Sequence, residues 1–191
     1  MDLLTSFHLH RGLRSLRVVF STLAVVLGLH AHAAHYMGGN ITYECQGGNN
    51  YLVNLELFYD CSGLPAIQQT LHYQSACGSY DVVIQPPTPT EVSQICPAQL
   101  VNSTCNGGGL QGVNLYNFQT VLNLPPCAGG WTLSWVICCR AVTRNLVGSP
   151  GIYLEAQIRN DLAVCDDSPV FTENSVPYFC VGQEANYNFG V

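Results

Sequence analysis

The side chains with the most chemistry in this chain are ten cysteines: Cys45, Cys61, Cys77, Cys96, Cys105, Cys127, Cys138, Cys139, Cys165 and Cys180. Their spacing decides between metal binding, redox catalysis and crosslinking. Structural zinc takes cysteines in C-x2-C pairs, and thiol redox enzymes use a C-x-x-C motif. The closest pair here, Cys138-Cys139, has no residue between its members. On a strand, adjacent side chains face opposite ways, so these two thiols are expected to join different partners, with a strained bond between them as the alternative. No metal ligand set and no cofactor is expected. The ten cysteines are candidates for disulfides.

Catalytic side chains are sparse. Beyond residue 33 the histidines are His35 and His72, so a Ser-His-Asp or Cys-His arrangement must use one of them. His35 stands close to the start of that region, and His72 lies in the extended stretch Leu71-His72-Tyr73-Gln74, where a half-exposed imidazole is the plain reading. Gly-x-Ser-x-Gly, His-Glu-x-x-His and a phosphate-binding glycine loop do not occur. The densest carboxylate pair, Asp166-Asp167, would point to opposite faces of an extended chain. It reads as a solvated interdomain turn, or as part of a calcium-bearing junction. The sequence therefore predicts a protein without catalytic residues.

The elements that hold these side chains begin after a segment of another kind. Arg11, Arg14 and Arg17 precede an apolar run from Val18 to Leu29, followed by Ala31-His32-Ala33. This is the pattern of a secretory signal peptide over residues 1–33. The run is shorter than the ~20 residues that a membrane-spanning helix needs, and no later stretch is longer, so no membrane span is expected. Export implies an oxidising compartment, where an even number of cysteines reads as disulfides.

Charge narrows the partners. Charged residues make up 9% of the chain, and lysine is absent. Past residue 33, three arginines stand against eleven acidic residues, a formal charge of 3 − 11 = −8. Such a chain is repelled by phosphate backbones, which excludes nucleic acid.

Period-two alternation dominates. Tyr51, Val53, Leu55, Leu57, Tyr59 and Cys61 share one face of a strand, opposite Asn54, Glu56 and Asp60. Ile41, Tyr43 and Cys45 form a similar face before it, and QGGNN between them has turn chemistry. Further strands are expected at Gln69–Gln74, Tyr80–Gln85, Asn114–Leu124, Trp131–Arg140 and Gly151–Arg159, separated by proline- and glycine-rich breaks. No amphipathic helix is expected. The fold class predicted is all-β: a disulfide-stapled antiparallel β-sandwich, Ig-like, over residues 34–164. Residues 165–191, with short extended pieces and no partner hairpin, read as a linker and the first strands of a second domain, as in a piece of a longer polypeptide.

HYMGGNITYEC (His35 to Cys45), YDC (Tyr59 to Cys61), LPPCAGGWTLSW (Leu124 to Trp135) and CCRAVTRN (Cys138 to Asn145) resemble the N-terminal domain of large secreted proteins of gliding bacteria. SPVFTENSVPYFCVGQEANYNF resembles the segment that follows there, where an Ig-like or cadherin-like repeat begins. The resemblance implies further domains in the same polypeptide: PKD-like or cadherin-like repeats and a gliding-motility-associated C-terminal sorting domain. Against that family's pattern, Cys77 and Cys127 look like additions, and Tyr59 stands where an arginine is usual.

Three pairings are expected. Cys96–Cys105 and Cys165–Cys180 each close a short loop with few competing thiols, and the two apparent additions, Cys77 and Cys127, pair with each other. Cys45 and Cys61 are expected to tie their hairpin to Trp131–Cys139. Asp60 precedes Cys61 and Arg140 follows Cys139, so such a tie would bring the two charges together. Arg140 then either pairs with Asp60 or lies in solvent, and the pair is the expectation taken. The function expected is a non-catalytic structural or adhesive module of a secreted or cell-surface protein, with an unknown surface ligand, protein or glycan. The alternative is a carbohydrate-binding module stacking Trp131 and Trp135 on sugar faces, although both share a strand face with Leu133 and Ile137 and so read as core.

Overall fold

Strict alternation along residues 50–60 makes a strand with one face in the core, and the structure builds its first sheet around it. A computed structural model describes residues 35–141, 147–148, 150–163, 165–172 and 184. Among these described residues eight strands follow in chain order: β1 (Tyr36–Gly47), β2 (Asn50–Asp60), β3 (Gln69–Ser75), β4 (Gly78–Ile84), β5 (Thr90–Glu91), β6 (Val113–Asn123), β7 (Trp131–Ile137) and β8 (Ile152–Ile158). They form two four-stranded antiparallel sheets, ordered β1-β2-β6-β5 and β4-β3-β7-β8.

This is the strand order of an immunoglobulin-like sandwich, with A-B-E-D in one sheet and C′-C-F-G in the other. The inward residues of β2, namely Tyr51, Val53, Leu55 and Leu57, meet Leu71 of β3 and Leu133 and Trp135 of β7 in one buried core. Antibody domains staple this centre with a disulfide between sheets; here it is filled by aliphatic and aromatic side chains, and the disulfides lie elsewhere.

The expected strands are present with small shifts at their ends. The largest shift is in β7, which stops at Ile137 rather than reaching Arg140. Alternation also breaks in β2, where Leu57, Phe58 and Tyr59 are all buried. Phe58 points to the outer face, but Val113, Val92, Leu115 and Met37 pack around it in a second, smaller cluster. Val92 follows β5 and donates its N–H to Val113 O at 2.8 Å, and the chain then reaches β6 through two short 3-10 turns, Pro97–Asn102 and Thr104–Asn106.

A buried polar chain crosses the core. Trp135 Nε1 donates to Gln69 Oε1 at 3.0 Å, and Gln69 Nε2 donates to the Tyr36 hydroxyl at 3.0 Å and to Ile67 O at 2.7 Å. An indole N–H has to be satisfied when buried, and Gln69 offers both an acceptor and donors. No helix among the described residues is long and apolar enough to cross a membrane.

Candidate functional site

Four disulfides fall among the described residues, and they divide the sequence expectations sharply. Cys77–Cys127 is formed as expected, joining the β3–β4 turn to the segment before β7. Cys45 bonds Cys165 and Cys61 bonds Cys105, so neither ties the hairpin to β7. Cys105 is thereby taken from Cys96, which is exposed and unpaired among the described residues. Cys165 is likewise taken from Cys180, which lies outside the described residues. Loop length was the wrong guide, because the sheet brings distant parts of the chain closer than neighbours along it.

Cys138 and Cys139 bond each other, and the peptide between them is cis. The expectation that they face opposite ways assumed a strand. The last strand residue is Ile137, so the alternation rule no longer holds where the two cysteines stand.

The Cys45–Cys165 bond belongs to a built junction. Ser168 N–H donates to Tyr43 O at 3.0 Å, and Tyr43 N–H donates to Ser168 Oγ at 2.9 Å. Asp167 Oδ1 accepts the Cys45 amide at 2.6 Å. Asp166 Oδ2 accepts the Arg159 amide at 2.9 Å and lies 2.9 Å from the Tyr43 hydroxyl, which also faces Gln157 O at 2.8 Å. Burial, with the Asp166 hydrogen bond second, pushes the Tyr43 phenol well above its ordinary pKa. Residues 165–168, assigned from sequence to the linker, are thus fastened to the exposed edge of β1. The two aspartates serve as acceptors for protein donors rather than as a solvated turn, and no group of three or more His, Cys, Asp or Glu arranged for a metal occurs among the described residues.

Asp60 and Arg140 do not form the expected ion pair; the pairs within 4.0 Å among the described residues are His72–Asp81 and Arg159–Asp161. Asp60 Oδ1 instead accepts the Ser62 amide at 2.8 Å. Arg140 Nε is buried without a hydrogen-bond partner among the described residues, while its backbone N–H donates to Pro150 O at 2.8 Å. With Cys61 bonded to Cys105, no disulfide draws the two side chains together. Trp131 and Trp135 are 4% and 2% exposed, which removes both rings from any sugar-stacking surface. His35 packs over Gly63, where a Cβ would meet its ring at 1.9 Å.

The second chemical grouping lies on the outer face of the other sheet. His72 on β3 stands opposite Asp81 on β4, and His72 Nδ1 is 2.8 Å from Asp81 Oδ1. Ser79 Oγ lies 3.4 Å from His72 Nε2. With Nδ1–H donating to the carboxylate, Nε2 is left as an acceptor facing the hydroxyl. Hydrogen bonding to Asp81 raises the His72 pKa above its usual value. Sequence reasoning placed His72 in a strand but missed both partners, because they become neighbours only through strand register. The signal was present: the turn Ala76-Cys77 pairs Ser75 with Gly78, and that register sets Asp81 against His72.

The fold and these two groupings define a disulfide-stapled immunoglobulin-like sandwich with a covalently closed edge and a hydrogen-bonded Ser-His-Asp row on an open face. No family model, curated protein or solved structure matches the chain.

Proposed function

We propose that this chain is a structural module of an exported or cell-surface protein, built to hold its shape under load, with surface attachment or gliding as the process it serves. The observation that carries this reading is the Cys45–Cys165 bond with the hydrogen bonds around it. Tension entering along β1 and leaving after residue 165 would pass through that bond, and the 120-residue loop between would carry none. Four disulfides support an oxidising location, since thiols in the cytosol are kept reduced. The pattern of residues 1–33 supports export, and the resemblance to N-terminal domains of large secreted proteins of gliding bacteria supports a cell-surface setting with further domains.

Export is tested by expressing the full chain in a bacterium with a secretory pathway and sequencing the N-terminus of the mature product. Release into the periplasm or medium with a new terminus near Ala34 and the four disulfides formed is the expected result. A chain that stays in the cytoplasm with residues 1–33 intact and its thiols reduced would overturn the reading.

A further inference from the structure

The Ser79, His72 and Asp81 row plays no part in the proposed role under tension, yet it has the parts of an activated nucleophile. A serine hydroxyl is a weak nucleophile until a base takes its proton, and the base works best when a third group fixes its tautomer. Ser79 Oγ is 3.4 Å from His72 Nε2, and His72 Nδ1 is 2.8 Å from Asp81 Oδ1. The first distance is at the long end for a hydrogen bond, which is usual for such a contact before a substrate closes on it.

All three residues are held by strand register rather than by a loop. His72 pairs with Asp81, and Gln74 pairs with Ser79, two rungs apart on one antiparallel ladder, so their side chains share the same face. β4 is the edge of its sheet, so every second residue along it turns its N–H outward. An N–H directed away from β3, without a ladder partner among the described residues, therefore lies on Ser79 or on the residues beside it, on the side where it could donate to an oxyanion forming at Ser79. The outward position of Ser79 also leaves room for an acyl donor to approach.

We propose that Ser79, with His72 as its base and Asp81 orienting that base, is a nucleophilic acyl-acceptor site that takes an acyl group from esters with a good leaving group, such as aryl esters. Ser79 Oγ bonds to the acyl carbon while its proton passes to His72 Nε2. The bond from the acyl carbon to the aryl oxygen breaks, and the leaving phenoxide takes the proton from the imidazolium. One phenol departs for each acyl-Ser79 formed, and the imidazole returns to its starting state. The product is an ester on an outer sheet face, compatible with a module whose core and clasp stay unchanged.

The groups that face His72 are Asp81 and Ser79 on β4, Gln74 on its own strand and Ser134 on β7, with Glu155 of β8 the next carboxylate along that row. Asp81 raises the His72 pKa, so acylation should climb with pH as the imidazolium loses its proton, with the midpoint shifted upward from that of an ordinary histidine.

The test treats the oxidised full chain with a fluorophosphonate probe and, separately, with p-nitrophenyl acetate, and locates adducts by peptide mass spectrometry. Ser75 is the internal control, because it sits on the same hairpin and its Oγ accepts the Cys77 amide instead of facing an imidazole. The expected result is an adduct on Ser79 at least about tenfold above Ser75, falling by about tenfold or more in His72→Gln, in keeping with the contribution of a general base. Asp81→Asn should lower it as well, and Ser79→Ala should remove it. Circular dichroism and a disulfide map of each variant separate lost reactivity from lost fold, and these surface substitutions are expected to leave both unchanged. Ser79 labelled no more than Ser75, or labelled equally in folded His72→Gln, overturns the proposal.

Discussion

Cys45 and Cys165 are bonded across a sequence separation of 120 residues, so that β1 and the segment after β8 are one covalent unit. In the chain-entropy view a crosslink stabilises by restricting the unfolded chain, and the effect grows with loop length. The four disulfides should therefore contribute very unequally. Replacing Cys45 and Cys165 together by alanine is expected to cost about 2 to 5 kcal/mol of unfolding free energy. Replacing Cys138 and Cys139, which enclose almost no chain, should cost only about 1 kcal/mol by the same reasoning. Denaturant unfolding of both double variants checks the order; equal losses would contradict it.

Gln69 tests the polar chain in the core. Gln69→Leu keeps the volume close but leaves Trp135 Nε1 without its acceptor and removes a donor to the Tyr36 hydroxyl. Each buried polar group left unpaired costs about 1 to 3 kcal/mol, more than the added apolar burial returns. Thermal unfolding should show a clear loss for Gln69→Leu. A variant as stable as the parent would mean that the chain does not contribute.

Tyr43 and Tyr59 set the alkaline limit. Both phenols are pushed up by burial in the first place, Tyr43 also by Asp166 and Tyr59 also by Tyr36. The folded state then holds these protons more tightly than the unfolded state, whose phenols titrate near an ordinary pKa of about 10. Their contribution is full below that pH and is lost as pH rises above it. Unfolding measured from pH 8 to pH 12 should show stability falling above about pH 10, with a shallower fall in Tyr43→Phe. An identical slope in the two proteins would exclude Tyr43 as a source.

Arg140 should not couple to Asp60. Its Nε is buried without a partner among the described residues, so Arg140→Met replaces an unsatisfied donor by an apolar side chain and is expected to be neutral or stabilising. In a double-mutant cycle with Asp60→Asn the two effects should add within about 0.5 kcal/mol. A coupling of more than about 1 kcal/mol would show that the charges meet.

Much of the fold was legible because period-two patterns are local. Val53, Leu55 and Leu57 announced β2, and the pattern also placed the two tryptophans in the core. What local pattern could not show was which strands lie side by side. β2 pairs with β6 and β3 with β7, across long stretches of chain, and those pairings decide that Cys61 meets Cys105 and that residue 165 returns to β1. Cys138 and Cys139 were misread for a related reason, since the strand rule was extended past the end of the strand at Ile137. Ser79 and Asp81 went unnoticed although the short turn at Ala76-Cys77 determines their register with His72.

The proposed role under tension is tested most directly by stretching single molecules of the full chain, held by handles at its two ends, with and without a reductant. With the disulfides intact, the 120-residue loop should contribute no extension, and only chain outside Cys45 and Cys165 should lengthen. After reduction the same pull should release that loop, about 400 Å of extended chain at roughly 3.3 to 3.6 Å per residue. A rupture of that size in the oxidised protein would contradict the account.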